Sequence, residues 1–292
     1  MQGLCYDYTE IFREISVNQK TMTISLSKVA NIADFKDADF LKVFNKYNYL
    51  GTKQFPQAIE DVSLQNRKTW EIAMAMYSFD KLGIINDNSE ILGIGAAKEE
   101  TISMLSGHVK RVFATDIYLD GGTWKHWYEP ELLIDARPYM GDKYNYKRVV
   151  WQHVDGRELP YEDNSFDGIF SCSSIEHFGD ESNIRKAIEE ACRVLKPGGI
   201  AAISSEFKIS GEGDGFANVQ LFDKERLERV WVNGIDWDLV EMIDYGLDNT
   251  EFIDFERSIN DKEYQKVAHP HIKLDNGSYQ WTSVHMTFRK AG

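Results

Sequence analysis

The sequence predicts an α/β fold with a doubly wound, mostly parallel sheet. Short, near-continuous apolar runs alternate with helical or loop-rich segments, as in a parallel sheet covered on both faces. A glycine-rich turn follows the first of these runs, in ILGIGAAKEE (91–100). A helical segment that ends at KPGG joins the last two of them, which indicates a crossover connection.

Each apolar run is a candidate strand. The predicted parallel strands are EILGIG (90–95), RVFATD (111–116), RVVWQHVD (148–155), FDGIFSCS (166–173) and GGIAAISSE (198–206). SVHMTFRK (283–290) alternates between apolar and polar residues and is predicted to close the sheet.

Two helices stand out by their periodicity. Residues 64–82 are predicted to form an amphipathic helix that Gly83 ends as a C-cap. One face of this helix carries Trp70, Met74, Tyr77 and Lys81, and Ala73 widens the apolar part of that face. The crossover helix is predicted to begin at Asp180 or Ser182. Its apolar positions are Ile184, Ala187, Ile188, Ala191 and Leu195.

The chain divides into a cap and one α/β domain. Residues 1–62 show a weak helical pattern without a clear strand and are predicted to cap the domain formed by 63–292. Within that domain, 207–280 is rich in Gly, Asp and aromatic residues, which predicts a lid or substrate-binding insertion before the last strand. The stretch GEGDGF (211–216) has the flexibility of a closing lid.

Composition limits the possible partners and location. The 292 residues include 47 acidic and 33 basic side chains, a net charge of -14, and no basic cluster, so nucleic acid is not an expected partner. The three cysteines lack CxxC spacing and predict neither disulfides nor a zinc site. There is no signal-peptide pattern and no 18-residue apolar run, so we expect a soluble cytoplasmic protein without membrane insertion.

The glycine-rich turn indicates a nucleoside site. A nicotinamide-binding turn needs G-x-G-x-x-G, and Lys98 stands at the third glycine position. Asp116 ends the next predicted strand, 21 residues after Gly95, where a carboxylate accepts hydrogen bonds from ribose hydroxyls. The alternative is that Asp116 is an ordinary turn residue.

Two longer stretches resemble a known family. DGRELPYEDNSFDGIFSCSSIEHF (155–178) and EEACRVLKPGG (189–199) resemble class I S-adenosylmethionine-dependent methyltransferases in the order of many residues. The resemblance covers about residues 88–206 and the terminal strand. It implies a seven-stranded, mostly parallel sheet, S-adenosylmethionine as the cofactor, and methyl transfer as the activity.

The resemblance also implies cofactor-binding residues. Gly95 would let the backbone approach the methionine and ribose, and Asp116, followed by Ile117, would bind the ribose hydroxyls. Asp155 and the Gly156 backbone would face the adenine. Ser171 and its neighbours would line the methionine end.

The turn departs from the family pattern of acidic-x-Gly-x-Gly-x-Gly. Aligned on Gly95, this chain has Gly93 at the acidic position, Ala97 at the second glycine and Glu99 at the third. The missing acid removes a common partner of the cofactor's ammonium group. We expect Glu99 to replace that contact.

The candidate catalytic residues are Glu176, His177 and Glu206, and His177 is the leading candidate for a general base. It follows the fourth strand, at the active edge of such sheets, and its unperturbed pKa is near neutrality. The alternative is that its imidazole only orders the loop. Glu206, at the end of the fifth strand, is expected either to bind a substrate hydroxyl or to be an ordinary strand-end carboxylate.

No metal site is predicted. Glu176 and His177 resemble the acid–histidine pair that ubiquinone-pathway O-methyltransferases use for a divalent metal, but their further carboxylate would fall on Ser173. His269 and His271 lie on one side of an extended segment without a third ligand, so substrate contact or a surface role is preferred.

The expected activity is methyl transfer to an oxygen, with nitrogen as the second choice, of a small molecule or glycan. The aromatic segment 121–146 and the 207–280 insertion favour a larger acceptor. ILGIGAAKEE together with VFATDIY resembles methyltransferases of sugar and polysaccharide pathways. The rivals are a nicotinamide-dependent Rossmann enzyme and a non-catalytic scaffold that keeps the fold.

Overall fold

The computed structural model describes residues 24–47, 60–119, 129–140, 144–267 and 269–292. Most of the predicted N-terminal cap, together with residues 121–128 and 141–143 of the aromatic segment 121–146, lies outside the described residues. The described part of the chain is a layered α/β structure with helices on both faces of one large sheet.

The elements follow the predicted alternation. The strands are Lys28–Val29 (β1), Glu90–Ile94 (β2), Arg111–Asp116 (β3), Val149–His153 (β4), Phe166–Cys172 (β5), Leu195–Ser210 (β6), Gly215–Phe216 (β7), Val219–Gln220 (β8), Trp237–Leu239 (β9), Phe252–Asp254 (β10), Lys273–Asp275 (β11) and Gln280–Lys290 (β12). The α-helices are Ala38–Tyr47 (α1), Arg67–Lys81 (α2), Glu100–Ser106 (α3), Glu181–Val194 (α4), Lys224–Leu227 (α5), Phe255–Asn260 (α6) and Lys262–Gln265 (α7). Short 3-10 turns span Ile32–Lys36, Val62–Leu64, Pro130–Leu133, Tyr146–Arg148 and Ile175–His177, and a π-helical turn, Glu228–Val232, continues α5.

The main sheet contains ten strands within the described ranges, in the order β10-β11-β12-β6-β5-β2-β3-β4, with β1 and β9 also paired to β12. Strands β2 to β6 are mutually parallel, and β12 is antiparallel to β6. The mostly parallel α/β prediction is therefore confirmed.

The strand count differs from the predicted seven. Seven strands, β4-β3-β2-β5-β6-β12-β9, form a continuous series, and β1, β10 and β11 are additional. Each added strand has only two or three residues, which is too short for an alternating pattern to be visible in the sequence. Part of the predicted insertion 207–280 therefore belongs to the sheet, because β9, β10 and β11 all lie within it.

Helix α2 spans Arg67–Lys81 instead of the predicted 64–82, because Val62–Leu64 forms a separate 3-10 turn, and it is more buried than an amphipathic helix. The Asn66 side chain caps it by accepting a hydrogen bond from the Thr69 amide (2.9 Å), and Gly83 follows it with a φ of +73°. Every residue from Thr69 to Phe79 is buried, because α1 covers the face turned away from the sheet. Phe40 of α1 contacts the ring of Tyr77 edge-on, with centroids 6.0 Å apart.

The crossover helix α4 begins at the first of its two predicted caps. The Asp180 carboxylate accepts a hydrogen bond from the Asn183 amide at 3.0 Å.

We predict that Asp180→Ala lowers the free energy of unfolding by about 1 kcal/mol, because an amide at the helix start loses its partner. Denaturant unfolding measures this. The control Lys186→Ala, at an exposed position of α4, should change it by no more than about 0.5 kcal/mol. Equal values for the two variants would contradict the cap assignment.

Candidate active site

The turn after β2 and the end of β3 are joined by hydrogen bonds. Gly95 has a φ of +61°, and the Ala97 amide donates to Asp116 Oδ2 at 2.9 Å. Asp116 Oδ1 accepts from the Ile117 amide at 2.7 Å, and burial raises the pKa of Asp116. The Tyr118 hydroxyl donates to the Ala97 carbonyl at 2.7 Å, which adds a second hydrogen bond between the turn and the segment at the end of β3.

Ala97 stands where the family has glycine, and its backbone is strained. Its φ is +40°, in the left-handed region where a side chain is strained by roughly 1–2 kcal/mol. The hydrogen bonds on both sides of Ala97 hold this conformation.

The three glycines assigned to the cofactor also meet the protein's own packing needs. A Cβ atom at Gly93 would lie 2.5 Å from Phe170 Cζ, and one at Gly95 would lie 2.5 Å from Ser174 Cβ. At Gly156 it would lie 2.6 Å from the Phe178 ring. Packing alone therefore accounts for the glycines, and their contact with the cofactor remains a prediction.

Two other predicted cofactor residues differ in what they offer a ligand. The Asp155 carboxylate pairs with the Arg157 guanidinium (Nη2 to Oδ2, 2.6 Å), which lowers the pKa of Asp155. The hydroxyl of Ser171 is buried near the end of β5 and has no hydrogen-bond partner among the described residues.

A buried cluster of charges lies beside this turn, and the first turn of α2 supplies half of it. Lys68 Nζ is 2.9 Å from Glu71 and 3.5 Å from Glu99, and it donates to the Cys172 carbonyl. Arg67 forms an ion pair with Glu206 at the end of the predicted fifth strand. The cluster therefore connects α2 with three loops or strands at one edge of the sheet.

Glu71 is the ionised centre of this cluster. Its side chain is 1% exposed, and it accepts hydrogen bonds from the hydroxyls of Ser173 (2.8 Å) and Ser283. Burial opposes its ionisation, but Lys68 and Arg67 outweigh that effect and lower the pKa of Glu71.

Glu99 has a different electrostatic state. Burial raises its pKa to about 7, against the opposing charge of Lys68, and Glu71 raises it further. Its Oε2 atom is buried without a hydrogen-bond partner in the described part of the chain. A cation placed beside Glu99 would find an acceptor that becomes ionised near neutral pH.

The three predicted catalytic residues lie within electrostatic range of one another. Glu176 is fully buried, and burial together with Glu206 raises its pKa well above the usual value. His177 Nδ1 donates to the Asn218 carbonyl at 2.7 Å, and burial lowers the pKa of His177, while Glu206 opposes this. The imidazole is therefore neutral at pH 7, with its lone pair on Nε2.

The sequence prediction missed Arg67, Lys68 and Glu71. A signal was present, because two adjacent cations at a helix N-terminus oppose the helix dipole and require carboxylate partners. The following turns are almost wholly apolar, so these charges had to point toward other buried acidic groups.

The two predicted histidines of the AHPHIKL segment are separated in space. His269 stacks on Tyr264 (centroids 5.3 Å apart), whereas the His271 carbonyl accepts from the Arg67 amide. Burial lowers the pKa of His271 to about 4. Within the described ranges, no group of three His, Cys, Asp or Glu side chains is arranged to hold a metal ion, and no helix is long and apolar enough to cross a membrane.

The residues present fit S-adenosylmethionine. This ligand carries an ammonium and a sulfonium, and the site offers a buried carboxyl oxygen without a partner at Glu99 and a half-exposed cation at Lys68 for the ligand's carboxylate. Asp116 lies at the position expected for a ribose, on the next loop.

The chain is similar in sequence to known methyltransferases. A family model described as a methyltransferase domain matches residues 92–203. The chain is 43% identical over 56 residues to the 27-O-demethylrifamycin SV methyltransferase of Amycolatopsis mediterranei (strain S699), covering 19% of this chain and 20% of that one. It is 27% identical over 138 residues to the demethylmenaquinone methyltransferase of Clavibacter sepedonicus, covering 47% of each. The chain thus spans between a fifth and a half of the lengths of these relatives.

Among solved structures, a putative sarcosine dimethylglycine methyltransferase from Galdieria sulphuraria superposes with a TM-score of 0.49 at 17% identity, covering 77% of this chain and 84% of that one. The matched family segment begins within β2, contains the turn, Asp116, Glu99, Glu176 and His177, and ends within β6. Residues 92–203 therefore belong to the methyltransferase domain family, and the domain is of the class I type whose cofactor is S-adenosylmethionine.

Proposed function

We propose that the protein transfers a methyl group from S-adenosylmethionine to an oxygen, with a nitrogen as the alternative, of a small molecule or glycan. The observation that carries this proposal is the contact between Ala97 and Asp116 beside the buried Glu99 carboxyl. At one edge of the sheet, Asp116 would accept hydrogen bonds from the ribose hydroxyls and Glu99 would accept one from the ammonium group.

The cofactor would lie across the loops after β2, β3, β4 and β5. Asp116 and Ile117 would hold the ribose, and Asp155 with Gly156 would face the adenine. The methionine end would contact Ser171 and Glu99. The backbone from Gly93 through Gly95 to Ala97 would form the floor.

Methyl transfer depends more on the alignment of donor and acceptor than on proton transfer. S-adenosylmethionine supplies the methyl group on a cationic sulfur, which disperses its charge as the nucleophile attacks. Holding donor and acceptor in line lowers the activation free energy by roughly 7 to 11 kcal/mol, whereas a general base raises the rate by about 10² to 10⁴-fold. His177 is the proposed base, and Glu206 and Glu176 orient the acceptor beside it.

The acceptor and the location are also proposals. The names of the rifamycin and demethylmenaquinone methyltransferases support a small-molecule acceptor, and the aromatic segment 121–146 supports one larger than an amino acid. Cys172 and Cys192 are buried free thiols, which fits a reducing cytoplasm.

We predict that Glu99→Gln weakens the binding of S-adenosylhomocysteine about tenfold at pH 7.5, because the ligand's ammonium loses a charged partner. The loss should be smaller at pH 6, where a carboxyl group of pKa about 7 is largely protonated in the free protein. Isothermal titration calorimetry at both pH values measures this. Glu100→Gln, at the neighbouring exposed position, is the matched control. Unchanged affinity in Glu99→Gln would rule out the ammonium contact.

We predict that His177→Gln lowers the rate of methyl transfer by about 10² to 10⁴-fold, because the acceptor loses its base. The rate is measured as S-adenosylhomocysteine formed, with an acceptor identified by screening sugars and phenols. In the unchanged protein the rate should fall only below about pH 6.5, since the pKa of His177 is lowered. His108→Gln, at an exposed position between α3 and β3, should behave like the unchanged protein. A His177 variant with full activity would restrict this imidazole to ordering the loop.

A further inference from the structure

Buried polar atoms without partners mark a second binding position beside the cofactor residues. Glu176 is 0% exposed, and neither carboxyl oxygen has a hydrogen-bond partner of normal geometry among the described residues. Its own backbone amide is close enough to influence its pKa. The Nε atom of Arg67, also buried, has no hydrogen-bond acceptor in the same part of the chain. Native proteins rarely bury such groups unless something else supplies their partners.

These groups converge from three elements. Arg67 lies in the first turn of α2, Glu206 lies in β6, and Glu176 lies in the 3-10 turn after β5. Arg67 pairs with Glu206 and also reaches the Ser283 hydroxyl at 3.3 Å. Among the neighbouring charges, Glu206 has the largest effect on the pKa of Glu176, followed by Glu71 and Lys68.

Each cation in this position already has a carboxylate partner. Arg67 has Glu206 as its partner, and Lys68 has Glu71 and Glu99. Burial and Glu206 raise the pKa of Glu176 well above its usual value, and in its protonated form the carboxyl offers one donor and one acceptor. Arg67 Nε adds a second donor.

The ligand must therefore both donate and accept hydrogen bonds and carry no charge. An anion would face the carboxylates of Glu206 and Glu71, and an ammonium group could only donate and would be repelled by Arg67. A hydroxyl group can do both, and two neighbouring hydroxyls could serve Glu176 and Arg67 together.

We propose that Glu176, Arg67 and Glu206 form a binding site for a pair of neighbouring hydroxyl groups on an uncharged polyol, such as a neutral sugar or cyclitol. This rests on the proposed methyl transfer, for which the polyol is the acceptor. Glu176 acts as a binding residue that positions one hydroxyl beside His177, the next residue in the chain. The proton leaving that hydroxyl goes to His177.

The test uses the full-length protein saturated with S-adenosylhomocysteine. Saturation-transfer NMR titrations compare myo-inositol and D-galactose, which are neutral, with D-glucosamine, a cation, and D-glucuronate, an anion. At least one neutral polyol should bind about tenfold or more tightly than both charged sugars, because each charged sugar leaves buried polar groups unpaired.

Two variants at one position separate the possible roles of Glu176. Glu176→Gln keeps one donor and one acceptor and should retain polyol affinity within about threefold, whereas Glu176→Leu removes both and should weaken it about tenfold. Both variants should bind S-adenosylhomocysteine like the unchanged protein, which shows that they are folded and isolates this site from the cofactor site.

Three results would overturn the proposal. Preferential binding of D-glucosamine, abolished by Glu176→Gln, would identify Glu176 as an ionised partner of an amine. Binding of S-adenosylhomocysteine without binding of either neutral polyol would remove the polyol site while leaving the proposed function intact. No binding of S-adenosylhomocysteine to the unchanged protein would reject the proposed function, and this inference with it.

Discussion

The burial of charged groups at the start of α2, the Arg67 guanidinium and the Glu71 carboxylate, is the constraint on which the rest of the site depends. Removing such groups from water is costly unless a partner of opposite charge lies close, and removing one partner of a buried pair leaves an uncompensated charge. Glu206 is the partner of Arg67, and the half-exposed Lys68 is the partner of Glu71 and Glu99. The ion pairs therefore fix where the turn after β2 and Glu206 of β6 lie relative to the helix.

The same cluster gives its carboxyl groups different states. Lys68 and Arg67 lower the pKa of Glu71, burial raises the pKa of Glu99 to about 7, and burial together with the charge of Glu206 raises the pKa of Glu176 well above its usual value. Carboxyl groups with separated pKa values can take separate roles, as in enzymes that use one acid for binding and another for proton transfer. The cluster is thus suited to receive a cationic cofactor on one side and a neutral acceptor on the other.

The sequence predicted the parallel framework because the framework depends on local patterns. The apolar runs and the cap at Asp180 each involve residues that are close along the chain. The short strands β1, β10 and β11 could not be predicted, since two or three residues are too few to show an alternating pattern. The pair of Arg67 and Glu206 could not be predicted either, because these residues are 139 positions apart. Only the unfavourable placement of two cations at a helix start indicated that such partners exist.

The most direct test of the account is calorimetric titration of the purified protein with S-adenosylmethionine, S-adenosylhomocysteine and NAD, repeated with Asp116→Ala. Asp163→Ala, at an exposed carboxylate away from the turn, serves as the matched control. The account predicts that both sulfur nucleosides bind, that NAD does not, and that Asp116→Ala abolishes binding while the control keeps it. Binding of NAD alone, or binding of the sulfur nucleosides that is unaffected by Asp116→Ala, would contradict it.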